Sequence, residues 1–133
     1  MKSPVWDESV YLPREELNRL HLRRIQRLMK YAYDKVPFYR KLYDDAGIKP
    51  EDIRTLEDFQ RKVPRFDKPD LLEEQERSPS GFGVMAMDPS YGTYYYQTSG
   101  TTGKPYREIS SFYEIYATAD GWVHSWWNAG MRP

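Results

Sequence analysis

The chain has 133 residues, with 20 basic and 20 acidic side chains, 39% hydrophobic residues, 16% aromatic residues and no cysteine. That length suits one domain with a real core, and twelve Tyr with four Trp exclude a disordered tail. Balanced charge excludes a global field for nucleic acid or an anionic membrane, and the missing cysteine excludes disulfides, thiolate metal sites and a Cys nucleophile.

No apolar run approaches the ~18 residues of a membrane span. The opening Met1-Lys2-Ser3-Pro4 has no signal-like apolar stretch. The expectation is a soluble, cytoplasmic protein with neither nucleic acid nor membrane as partner.

The first half, residues 1–77, reads as a helical lead-in punctuated by proline. Pro13 is placed as the first residue of a helix, with Glu15 and Glu16 in its opening turn. Leu17, Leu20, Ile25, Leu28, Met29, Ala32 and Val36 then recur at helical spacing until Pro37. Arg23, Arg24, Arg27 and Lys30 line the opposite side, the pattern of a solvated face. Pro37 opens a second helix with Phe38, Leu42 and Ala46 inward and Gly47 as its stop. Thr55 with Asp58 marks a third helix start, and Asp67 before Lys68-Pro69 a fourth.

Residues 78–133 differ. Ser, Pro and Gly make 78–88 a loop. Thr93-Tyr94-Tyr95-Tyr96-Gln97 and Tyr106-Arg107-Glu108-Ile109-Ser110 are strand candidates, and core and sheet packing is the expected use of the tyrosines. Ser111 with Glu114 forms a capping box for the last helix, which Gly130 stops. Phe112, Ile115, Tyr116, Ala119, Trp122, Val123 and Trp126 draw one apolar stripe along it.

Between the two strands lies Thr98-Ser99-Gly100-Thr101-Thr102-Gly103-Lys104-Pro105. Gly100 and Gly103 permit backbone conformations in which successive N–H groups face one concavity, a nest for phosphate oxygens. Ser99, Thr101 and Thr102 add hydroxyl donors, and Lys104 adds a mobile cation. It is no Walker A loop: two residues separate the glycines where that motif needs four, and a proline follows the lysine. A Gly/Thr hairpin tip with an incidental lysine is the competing explanation.

The octet resembles the phosphate-binding signature of the adenylate-forming superfamily. Val36-Pro37-Phe38-Tyr39-Arg40, Ala46-Gly47-Ile48-Lys49-Pro50-Glu51-Asp52-Ile53, the stretches 55–59 and 67–71, and Ala129-Gly130-Met131-Arg132-Pro133 are similar to segments of phenylacetate–CoA ligase-like enzymes. The resemblance spans from about Trp6 to Pro133. It implies an α/β fold, namely the N-terminal part of the large adenylate-forming domain, with a helical lead-in, a β-hairpin and a long covering helix. It further implies that Thr98, Ser99, Gly100, Thr101, Thr102, Gly103 and Lys104 grip the β- and γ-phosphates of ATP. In the family a carboxylate, with Mg²⁺ assisting, becomes an acyl-adenylate, and coenzyme A then displaces AMP to give a thioester.

Family members are several times longer. Their base, ribose and metal motifs and their mobile C-terminal domain with its lysine have no counterpart up to Pro133. The expectation is therefore an N-terminal fragment or one half of a split ligase, inactive alone, that self-associates or needs a complementary C-terminal chain. An aryl acid is the expected substrate of the complete enzyme. The alternative is a non-catalytic anion-binding or protein-docking module.

No catalytic or metal residue is assigned. His124 has Asp120 four residues earlier, and surface pairing explains it better than base catalysis. His21 is read as structural, sharing the first helix with packing residues. Asp44-Asp45 and Glu73-Glu74 are charge pairs on helix surfaces.

Overall fold

The computed structural model describes residues 7–100 and 103–131. Trp6, Arg132 and Pro133, at the edges of the resemblance, lie outside them. Helix α1 spans Arg14–Lys35, α2 Pro37–Asp45, α3 Leu56–Lys62 and α4 Lys68–Arg77. Strands β1 (Tyr94–Gln97) and β2 (Arg107–Ser110) follow, and α5 (Phe112–Asn128) closes the order. Three short 3-10 turns, Glu8–Tyr11, Pro50–Asp52 and Pro89–Tyr91, come in addition to the expected elements.

Local chemistry sets most boundaries. Thr55, Asp67 and Ser111 each cap a helix, and each closes a reciprocal box with the acidic residue three positions on. Gly47 and Gly130 stop their helices at φ 66° and 95°, a conformation that favours glycine. Pro13 stands one position earlier than expected, as the N-cap of α1. Its carbonyl accepts from Leu17 N–H at 3.0 Å and needs no donor of its own.

The buried core belongs to the helical half. Met29 of α1, Tyr43 of α2, Ile48 and Ile53 form one cluster, with Leu22, Ile25, Leu42, Phe59 and Val63 packed around it. Ile53 is fully buried, and its carbonyl accepts from the Gln26 side-chain amide at 2.8 Å, which ties α1 to the turn before α3. Tyr33 stacks on Tyr43 at 6.4 Å between ring centroids. The apolar spacing expected for α2 needs correction: Ala46 is exposed, and Tyr43 is the residue α2 buries. Leu28 is likewise exposed, on the outer flank of the α1 stripe. His21 lies exposed on α1, outside the buried cluster.

Strands β1 and β2 form an antiparallel pair with Tyr94 opposite Ser110 and Gln97 opposite Arg107. The expected burial of the tyrosines is not met. Tyr94, Tyr95 and Tyr96 are all exposed, since α5 lies against β2 and shields β1 only in part. Tyr95 meets Phe82 edge-on and donates its hydroxyl to Gln97 Oε1 at 2.5 Å. Helix α5 touches β2 yet buries none of its own residues, so its apolar stripe is largely open. The 78–88 segment is irregular as expected, but it is pinned. Gly83 lies under the Tyr106 ring, where a Cβ would come within 2.2 Å, and Val84 N–H donates to the Tyr106 hydroxyl at 3.0 Å.

Candidate functional site

The β1–β2 connection is shaped from its ends inward. Thr98 N–H donates to the Tyr106 carbonyl at 3.0 Å, and Tyr106 N–H returns a bond to Thr98 Oγ1, also at 3.0 Å. The Thr98 hydroxyl oxygen thus stands in for a strand carbonyl and closes the hairpin neck. Beyond the neck, Gly100 has φ 65° and Gly103 φ 138°, both open to glycine and costly for other residues. At Gly100 a side chain would also meet Gly103 O at 2.9 Å and Pro105 N at 3.3 Å, so both conformation and space ask for glycine there.

Gly103 N–H is turned inward and donates to Gly100 O at 2.8 Å, which closes the tip on itself. Ser99 is exposed at the tip. Thr101 and Thr102, expected in the same loop, lie outside the described residues. Lys104 pairs with Glu76 on α4, and the ammonium holds the Glu76 carboxyl below its usual range. Both side chains stay more than half exposed, so the pair is solvent-screened and readily exchanged for another anion.

Two residues that sequence reasoning passed over support this loop, and both sit in the last turn of α4. Glu76 holds Lys104, and Gln75 reaches the strand beyond it: its Nε2 donates to Pro105 O at 3.3 Å and its Oε1 accepts from Arg107 N–H at 2.5 Å. A signal existed. Gln75 falls four and three residues after Leu71 and Leu72, on the apolar face of α4, where a polar side chain needs a partner. The other expected charges behave as surface groups. Asp44 pairs with Lys49, Asp45 with Lys41, and Glu73 with Arg77. His124 is half-buried, with its Nε2 shielded and without a hydrogen-bond partner among the described residues. An apolar cavity of about 560 Å³ lies in the helical half between Met29, Tyr43, Phe59 and Phe66. It brings together no convergent set of titratable groups.

The chain is 38% identical to the phenylacetate–coenzyme A ligase of Thermus thermophilus over 122 residues, 92% of its own length. The chain is homologous to the N-terminal part of the adenylate-forming ligases. The phenylacetate–coenzyme A ligase of Escherichia coli matches 91 residues at 38% identity. Among solved structures, an open conformation of 2-hydroxyisobutyryl-CoA ligase, in complex with 2-HIB-AMP and CoA, superposes with a TM-score of 0.90. It is 30% identical and covers 99% of this chain. The same ligase in its thioesterification state gives 0.81 at 29% identity. No family model matches the chain.

The chain spans 26% of the Thermus ligase, 20% of the Escherichia ligase and 30% of the open hydroxyisobutyryl ligase. The helical lead-in, the hairpin and α5 match the N-terminal part of the adenylate-forming ligase fold.

Proposed function

We propose that this chain supplies the ATP-phosphate grip of a carboxylate–CoA ligase, with Thr98, Ser99, Gly100, Thr101, Thr102, Gly103 and Lys104 as its contact residues. The observation that carries the reading is the match along 92% of the chain to a phenylacetate–coenzyme A ligase. The loop's own chemistry agrees: two glycines at positive φ and one exchangeable ammonium stand at a hairpin tip. A polyphosphate would draw Lys104 from Glu76 and spread its charge over the ammonium and the tip hydroxyls. The complete enzyme would couple an aryl or related carboxylic acid to ATP, forming an acyl-adenylate and then a CoA thioester. Among the described residues no cluster of three His, Asp or Glu exists that could hold a metal ion. The acid and coenzyme A are assigned no contact here.

Amide-resolved NMR titration with pyrophosphate and with ATP tests the grip. Shifts at Gly100, Gly103 and Lys104, similar for both ligands and lost in Lys104→Ala, are expected. Affinity should be poor, since ordering a free loop costs ~1–2 kcal/mol per backbone residue. Silence of these amides at millimolar ligand would mean the tip only closes a hairpin. A docking module is the second reading, and the open face of α5 favours it: Phe112, Tyr116, Trp122 and Trp126 are all exposed.

A further inference from the structure

Gln75 is the buried residue of α4, only 4% exposed. Its amide meets the backbone of Pro105 and Arg107, the residues on either side of Tyr106. Tyr106 in turn exchanges bonds with Thr98 across the hairpin neck. That exchange turns the backbone groups of the neighbouring Arg107 away from β1. One of them, the carbonyl, accepts from Gly83 N–H at 3.3 Å; the other, the N–H, is met by Gln75. A carbonyl and an N–H two residues apart are what a strand edge offers a neighbouring strand. A primary amide carries donor and acceptor side by side and meets both at once.

We infer that Gln75 is a positioning residue for polyphosphate binding: it fixes the return arm 105–107, so that Gly103 and Lys104 leave the neck in one direction. The inference rests on reading 98–104 as a phosphate grip. With the arm fixed on both sides, only the tip remains to be ordered by the ligand. Without the amide, two backbone groups at a covered edge lose their partner, and the arm swings together with Lys104. Glu76, one residue on, holds the Lys104 ammonium beside the same arm.

The test compares pyrophosphate titrations, read at the Gly103 and Lys104 amides, for the native chain and three variants. Gln75→Met keeps side-chain length and loses both bonds, and Gln75→Asn keeps the amide but is too short to span both groups. Gln26→Met removes a comparable clamp, the bond to Ile53 O in the helical core, far in sequence from the loop. The expected result is a dissociation constant raised roughly fivefold or more in Gln75→Met, on the scale of one net hydrogen bond. Gln75→Asn should fall between it and the native chain, and it carries the comparison if Gln75→Met does not fold. Gln26→Met should lower the melting temperature and leave pyrophosphate affinity unchanged. Native binding with both Gln75 variants within about twofold of it, or an equal loss in Gln26→Met, overturns the positioning role alone. Absence of native binding removes the phosphate grip and this inference together.

Discussion

Asp58 shows how much one half-buried carboxylate organises. It pairs with Lys62 at 2.8 Å and accepts the backbone N–H groups of Arg54 and Thr55 at 3.0 Å. The Lys62 ammonium first, and then the Arg54 amide, pull its pKa down to about 2. A carboxyl depressed in the folded state contributes stability above its unfolded pKa of roughly 3.9, and that contribution fades as pH falls through about 2. The start of α3 should therefore loosen between about pH 4 and pH 2. Carboxyl-carbon NMR should place the Asp58 midpoint near 2 and show it rising in Lys62→Ala. An unshifted midpoint in the native chain would mean the Lys62 contact is not populated in solution. Lys49 is displaced the opposite way, raised by the Asp44 carboxylate and the Tyr33 hydroxyl.

Among the elements, α5 depends most on its own ends. It buries no residue, and Gly121 in its interior costs about 1 kcal/mol relative to alanine. Its start is held by Ser111 N–H donating to Glu114 Oε2 at 2.7 Å and Glu114 N–H donating to Ser111 Oγ at 3.3 Å. Ser111→Ala should cost about 1 kcal/mol and fray the first turn. Circular dichroism on heating and amide exchange at 112–114 would register it; an unchanged first turn would show that contact with β2 alone holds the helix. This cap was legible in sequence, as were those at Thr55 and Asp67, because a capping box is complete within four residues. The glycine stops were legible for the same reason. Gln75 was legible only as a polar residue on an apolar face; its partners were not, since they lie 30 and 32 residues further along the chain and only the folded hairpin presents them. The tyrosine run misled in the opposite sense: alternation names the faces of a strand, but burial needs a second layer. At the loop, the glycine conformations were readable from residue type, whereas the engagement of Gly103 N–H and Lys104 by their neighbours was not.

Across the whole molecule the helical half holds the core, and the hairpin half holds the exposed aromatics. Phe112, Tyr116, Trp122 and Trp126 on α5, with Tyr94, Tyr95 and Tyr96 on β1, are all exposed, and open aromatic surface of this kind favours association. Sedimentation should show association that strengthens with concentration, together with binding of an apolar dye that weakens as the chain associates. A single monomeric species with no dye binding would refute this.

Closing the outer side of β2 by Gln75 and Gly83 gives the two-stranded sheet a direction. Arg107 N–H and C=O are already occupied there, so another strand cannot add beside that residue without first displacing α4 and the 78–88 segment. Growth is left to β1, whose Tyr95 and Gln97 N–H groups point outward by the same alternation. Deuterium should therefore enter Tyr95 and Gln97 quickly and Arg107 slowly, although neither strand has a third strand beside it among the described residues. Any chain that completes the sheet must approach from the tyrosine side, and its arrival would be recorded as new protection at those two amides.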